Sequence, residues 1–265
     1  MRRSKSSYVI QTVANAFRLL EEFDGTAAEL GVTELSNRLG LHKNNVFRLL
    51  ATLEQQAYVE QCAHTERYRL GRGCLVLGQA FAESRSLVRF ARPLLSKLAE
   101  DTNESAHLGV LSGYEVVHLD GEQPAQLVST SLRTGQKLSA HCTALGKVLL
   151  AGKSAPALAQ LDKDRVRAGK LVAQTPATIT DRDKFFEHLR TVASQGWALD
   201  LEECAQGLCC VAAPVHDASG EVVAALSVSA PVFRVREVRI HDEVMPRVIA
   251  AANELSQRLG FVAAA

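Results

Sequence analysis

The sequence predicts an α+β protein of two unequal parts, a small helical part with a β-ribbon followed by a larger part built on an antiparallel sheet. Three observations carry this. Apolar residues recur at three- and four-residue spacing through residues 8 to 56, the period of amphipathic helices. Short strand-like stretches separated by Gly and Asp turns run through residues 104 to 231. Helical patterns at 143 to 152, 181 to 194 and 237 to 259 are mixed among those hairpins, as in an α+β domain.

Taken in order, "YVIQTVANAFRLLEEFD" (8 to 24) places Ile10, Val13, Phe17 and Leu20 on one helix face, expected to meet the core. Thr33 reads as the N-cap of a short second helix, with Leu35 and Leu39 inward and Gly40 closing it in a left-handed cap. After a tight "GLH" turn, "KNNVFRLLATLEQQ" sends Val46, Leu49, Leu50 and Leu53 inward and leaves Asn44, Asn45 and Arg48 on the opposite side. "YVEQCAHTERYRLG" then reads as two short strands around a polar tip at 63 to 66, and together these parts make a winged helix-turn-helix. Residues 73 to 99 return to helix, with Pro93 marking a kink or a new first turn.

Beyond them, "SAHLGVLSGYEVVHLD" predicts a hairpin turning at Ser112-Gly113, "AQLVSTSL" a further strand, and "GLCCVAAPVHDASGEVVAALSVSAP" a hairpin turning at 217 to 220. Asp181 caps the helix that Gly196 ends, and Ile240, Val244, Val248 and Leu255 face inward on the last helix.

Composition sets bounds. The chain has 265 residues, 47% of them hydrophobic and 22% charged, ordinary for folded domains. It shows no apolar run long enough to span a bilayer and no signal-peptide core, so a cytoplasmic protein with no membrane partner is expected. The six cysteines form no evenly spaced framework and read as reduced thiols. A net charge of +1 argues against a uniformly basic coat and leaves a local phosphate-binding patch open.

The first part carries what major-groove reading needs: Asn44, Asn45 and Arg48 offer amide and guanidinium groups to base edges near the start of a helix. Lys43 at the helix start, Arg67 and Arg69 in the wing, and the arm residues Arg2, Arg3 and Lys5 are suited to phosphates.

In the second part the Gly146-Lys147 pair is not a phosphate loop, because His141 and Val148 stand where that loop needs Gly and Ser or Thr. The helix beginning near Thr143 instead leaves the amides of Ala144 and Leu145 available to an anion such as a carboxylate. Ser227 and Ser229 share one strand face, as do Leu208 and Cys210 on the hairpin partner. With Leu127 and Thr130 as further wall and Asp200 as a polar group, these residues describe a pocket for a small organic acid. A metal site is disfavoured, since Cys209 and Cys210 point to opposite faces. A cysteine-dependent enzyme acting on a small acid, with His107, His141 or His216 as base, is the alternative, although no local nucleophile signature supports it.

Four stretches, "VTELSNRLGLHKNNVFRLLATLEQQAYV", "RYRLG", "GQKLSAHCTALGKVLLA" and "LDLEECAQGLCCVAAPVHDASGEVVAALSVSAP", make the chain resemble the IclR family of bacterial transcriptional regulators over nearly its whole length. The resemblance implies a winged helix-turn-helix domain at 1 to 72, a linker helix at 73 to 88 and a GAF-like effector-binding domain at 89 to 265. It implies no catalytic residues and no cofactor. The implied partners are double-stranded operator DNA, a small aliphatic or aromatic carboxylate effector, and a second copy of the chain in a homodimer that can pair into a tetramer. By motif, Ala144, Leu145, Leu127, Thr130, Asp200, Leu208, Cys210, Ser227 and Ser229 fall at effector-binding positions. Asn44 and Asn45 replace the Ser-Thr common in the reading helix, His42 the proline before it, and Ala140 the proline before His141. The first of these changes bears on which operator is read.

Overall fold

A computed structural model describes residues 9–23, 29–84, 86–126, 129–165, 171–234 and 239–262. The chain divides into two compact units, Met1–Ser84 and Arg85–Ala265.

The first unit contains α1 (Gln11–Glu21), α2 (Val32–Leu39), α3 (Lys43–Gln55), the antiparallel strands β1 (Val59–Gln61) and β2 (Tyr68–Leu70), and α4 (Arg72–Ser84). Leu35 and Leu39 of α2 and Val46, Leu49 and Leu50 of α3 are buried, as their spacing predicts. Gly40 holds φ at 65°, the left-handed turn that sets the angle between the two helices. The second helix starts one residue before the predicted cap: Gly31 is the N-cap, and Thr33 lies within the first turn.

The larger correction concerns α1. Its core contact is Leu19, while Ile10, Val13 and Phe17 are 68%, 49% and 61% exposed. The helix meets the core through the face that carries Ala16, Leu19 and Leu20. Val13 and Phe17, shifted around the helix from that face, instead line an open apolar groove of about 860 Å³ with Leu53, Tyr58 and Leu77.

The second unit opens with α5 (Ser86–Thr102), which continues through Pro93. Its sheet contains β3 (Ser105–Ser112), β4 (Glu115–Glu122), β5 (Lys137–Ser139), β6 (Ala198–Leu201), β7 (Leu208–His216) and β8 (Val222–Pro231). All pairings are antiparallel in the order β5-β4-β3-β8-β7-β6. The helices are α6 (Ala144–Ala151), α7 (Ala155–Arg165), α8 (Arg182–Gln195) and α9 (Met245–Arg258), the last preceded by a π-helical turn at Ile240–Val244. Helices α6 and α8 pack with Val116, Ala212 and Ala225 in one core layer, whereas Ile240 packs with Cys209 and Ala230 in another. Strand parity separates the two layers: Ala212 and Cys209 lie an odd number of residues apart on β7.

Asp181 caps α8 by accepting from the Lys184 amide at 2.9 Å, and Gly196 ends it at φ 78°, both as predicted. Ile240, Val244, Val248 and Leu255 are buried, also as predicted. The strand expected over 125 to 132 is absent among its described residues. Side-chain bonds hold that segment in place of a ladder: Ser105 Oγ donates to the Thr130 carbonyl at 2.8 Å, and Thr130 Oγ1 donates to the Ser229 carbonyl at 3.3 Å. Sequence reading missed β5, α7 and β6.

Candidate functional site

Two surfaces carry the predicted functional groups, one in each unit. On α3, the buried positions Val46, Leu49 and Leu50 leave Lys43, Asn44, Asn45 and Arg48 exposed at the start of the helix. Asn45 and Val46 amides donate to the His42 carbonyl at 2.9 and 3.1 Å, and the His42 side chain caps nothing. The wing arginines are already engaged. Arg67 donates to Glu34 at 2.8 Å and to the Glu29 carbonyl at 2.9 Å, and Arg69 donates to Glu60 at 2.6 Å. Such exposed pairs are screened by solvent and hold the side chains only weakly. Arg2, Arg3 and Lys5 lie outside the described residues.

In the second unit the sheet register assembles a cross-strand row. Asp200 of β6 faces Cys210 of β7, which faces Ser229 of β8. One step along, Ala212, Ser227 and His107 align across β7, β8 and β3. Thr130, Ala144, Leu145, Asp200, Leu208, Cys210, Ser227 and Ser229 all line one cavity. Of the predicted pocket residues, Leu127 lies outside the described residues. The cavity is also lined by His107, His118, Arg133, Leu138, Thr143 and Cys204, which the pocket expected from sequence did not include. His107 and Ser227 occupy paired register positions, but that pairing joins β3 to a strand more than a hundred residues away and leaves no local pattern. Arg133 sits in an irregular segment without periodicity.

The start of α6 forms one end of the cavity. Thr143 is its N-cap, accepting from the Gly146 amide at 3.2 Å, and its carbonyl accepts from the Lys147 amide at 3.0 Å. Among the described residues the amides of Ala144 and Leu145 make no backbone hydrogen bond, as first-turn amides of a helix. Gly146 is required here because a Cβ would fall 2.1 Å from the Ala140 carbonyl oxygen. Beneath the cavity Lys147 is fully buried, donating to the Leu199 carbonyl at 2.8 Å and to the Glu203 carboxylate.

Burial governs the protonation of the site. Asp200, wholly enclosed, is pushed up to about 7 by burial, even though the amides of Glu203 and Cys204 donate to its Oδ1 at 2.7 and 3.2 Å. Its Oδ2 has no hydrogen-bond partner among the described residues. Burial also lowers His107 to about 3 and His118 to about 4, so both rings are neutral near pH 7, and their Nδ1 atoms have no partner among the described residues. Burial raises Cys210 well above an ordinary thiol, with Ser229 Oγ donating to its sulfur at 3.2 Å. Of the three histidines considered as a cysteine's base, His107 alone lines the cavity. His141 pairs with the Val172 carbonyl at 2.9 Å, and His216 stacks on Phe261.

The interior free space is about 30 Å³, or about 370 Å³ with the solvent-open mouth included. The smaller figure is room on the order of one or two waters. Among the described residues no cluster of three or more His, Cys, Asp or Glu could hold a metal ion, and no helix is long and apolar enough to cross a membrane.

Two family models cover the chain: the IclR helix-turn-helix domain matches residues 12–62 and the bacterial transcriptional regulator IclR C-terminal domain matches residues 79–257. The chain is 33% identical to the HTH-type transcriptional regulator XynR of Escherichia coli over 96% of its own length and 99% of that protein's. It is 33% identical to the acetate operon repressor of Salmonella typhimurium, over 95% and 90% of the two lengths. The crystal structure of an IclR-type regulator from Alicyclobacillus acidocaldarius superposes with a TM-score of 0.86 at 25% identity, covering 96% of this chain and all of that one. The two family models and relatives of nearly equal length thus cover both units, and the chain belongs to the IclR family of bacterial transcriptional regulators.

Proposed function

We propose that the chain is a homodimeric, cytoplasmic regulator that reads operator DNA through α3 and responds to a small carboxylic acid held in the cavity of the second unit. The row Asp200-Cys210-Ser229 meeting the open amides of Ala144 and Leu145 carries the effector reading. The amides take the carboxylate, and Ser227, Ser229 and protonated Asp200 supply hydrogen bonds. Leu208 and Thr130 supply wall. Leu127 is assigned to the same wall by sequence position. The small interior favours an aliphatic acid of a few heavy atoms over an aromatic one. A thermal-shift screen of both classes tests this, because a ligand bound only to the folded state raises its melting temperature by mass action. No shift with any acid would remove the pocket assignment.

The effector reading fixes a pH dependence. Below about 7 Asp200 is protonated and can donate through Oδ2; above it the carboxylate repels an anionic ligand. The Cys204 thiol, lowered to about 6, repels in the same direction once ionised, while neutral His107 and His118 do not change charge over this range. Titration of Asp200 alone therefore raises the acid's Kd about tenfold between pH 6 and 8 by titration calorimetry, and Cys204 adds to that rise. A flat profile would count against Asp200 and Cys204 facing the ligand.

The homodimer reading is supported by the exposed stripe on α1. Phe17, Val13 and Leu77 line a groove large enough to take side chains of a second copy, and a two-fold pair of α3 helices suits a pseudo-palindromic operator. Phe17→Asp should yield monomers by sedimentation, with the first unit still folded because Phe17 is outside the core. An unchanged mass would place the dimer contact elsewhere.

A further inference from the structure

Helix α3 keeps one large apolar side chain uncovered. It buries Val46, Leu49 and Leu50 and half-buries Leu53 against the core of the first unit, whereas Phe47 is 54% exposed and joins neither that core nor the apolar groove lined by Phe17. The α3 residues that line the groove are Leu49, Thr52 and Leu53, and at about 100° per residue all three stand about 120° or more around the helix from Phe47. A partner seated in the groove therefore meets a different side of α3.

Around Phe47 the surface is polar or small. Lys43 and Asn44, four and three residues before it, and Ala51, four residues after it, share its side of the helix and are exposed. Long side chains on a helix lean towards its N-terminus, which carries the Phe47 ring to the turn of Lys43 and Asn44, the end that enters the major groove in helix-turn-helix docking. That groove presents one apolar group, the C5 methyl of thymine, among base edges that otherwise offer hydrogen-bond donors and acceptors.

We propose that Phe47 is a base-selecting residue whose ring packs on the C5 methyl of a thymine in each half-site of the operator. The proposal rests on the reading of α3 as the DNA-contacting helix, and it names the base that α3 selects by apolar contact beside the hydrogen bonds of Asn44, Asn45 and Arg48. Cytosine lacks the methyl, and uracil differs from thymine by the methyl alone, so the ring prefers thymine to either. The one-carbon side chain of Ala51, a turn further along the same side, leaves room for the base edge to approach the ring. A phenyl ring neutralises no phosphate, so Phe47 supplies sequence choice without salt dependence.

The test uses the full chain and a duplex that it enriches from a random-sequence library, with each thymine replaced in turn by deoxyuridine, which removes the methyl and keeps the pairing. By fluorescence anisotropy, one replacement in each half-site should weaken binding about fourfold, the worth of burying one methyl-sized group. Phe47→Ala should weaken binding of the thymine duplex and lose nothing more on the same replacement, with its slope of log affinity against log salt unchanged. Lys43→Ala should lower that slope and keep the thymine preference. Phe47 lies outside the core and alanine favours helix, so the variant folds; Phe47→Gln repeats the measurement with a longer polar side chain. An unmutated chain indifferent to every replacement, or variants that keep the full penalty, would overturn the proposal. A lower sedimenting mass of the variants with the penalty kept would assign the ring to a contact between copies. Failure to enrich any duplex is a separate result, which would overturn the DNA reading of α3 itself.

Discussion

Arg48→Ala should lower the affinity of the proposed dimer for its specific operator by roughly 30-fold to 10⁴-fold, with little change in melting temperature. A guanidinium bound bidentately to guanine contributes about 1–3 kcal/mol of discrimination, and a two-fold dimer loses it in both half-sites. Arg48 is exposed, and the bond assigned to it within α3 is accepted by its backbone carbonyl from Thr52 Oγ1 at 2.8 Å. Truncating the side chain should therefore remove the proposed base contact and leave the fold. Fluorescence anisotropy against specific and scrambled duplexes separates the roles: Arg48→Ala should collapse the difference between them, whereas Arg69→Ala should weaken both about equally. Arg69 already pairs with Glu60, and a phosphate contact carries no sequence information. A specific-to-scrambled ratio that survives Arg48→Ala would place base reading on other residues.

The parts legible in sequence are those whose cause is local. Gly40 and Gly196 end helices because only a left-handed residue turns the chain there, and both stand in that conformation. Period-two parity on β7 sends Cys210 to the cavity wall and Cys209 to the layer of Ile240. Ser227 and Ser229 follow by the same rule. The pattern fails where burial depends on a partner that spacing cannot name. The Val13-Phe17 stripe is a true helical face, but periodicity says only that something covers it, not that the core does. Likewise "AQLVSTSL" has strand-forming residues, yet Ser105, Gln123 and Ser229 capture Thr130 by side-chain and carbonyl bonds that no propensity encodes. His107, His118 and Arg133 reach the cavity through long-range register and an irregular loop. The Gly-Lys pair at 146 and 147, which sequence logic could only strip of a phosphate-loop role, has its explanation in packing: glycine admits the Ala140 carbonyl, and lysine goes inward to Glu203.

That inward lysine gives the second large effect. Lys147→Met should destabilise the second unit by about 3–5 kcal/mol, because it strands a buried carboxylate without its countercharge. For a unit of this size that is on the order of 6–20 °C in melting temperature. Burial already pushes Glu203 above the ordinary carboxylate range despite Lys147, and its Oε2 has no partner among the described residues, so without the lysine the carboxyl must bind a proton or stay charged and unpaired. The loop around it cannot readily swing out to solvent. Thr175 Oγ1 donates to the Glu202 carbonyl at 2.6 Å and Thr178 Oγ1 to the Glu203 carbonyl at 2.7 Å, pinning the backbone on both sides. Lys147→Met combined with Glu203→Leu should recover most of the loss, since an apolar pair of similar volume avoids the desolvation cost of two buried charges. The functional consequence should not recover in parallel. The Glu203 amide donates to Asp200 Oδ1 at 2.7 Å, so the buried pair sets where the Asp200 carboxyl sits in the cavity. A double variant as stable as the unmutated chain but weaker in acid binding would show that the pair positions Asp200; a double variant as unstable as Lys147→Met would show that the loss arises from packing around α6 and not from the stranded charge.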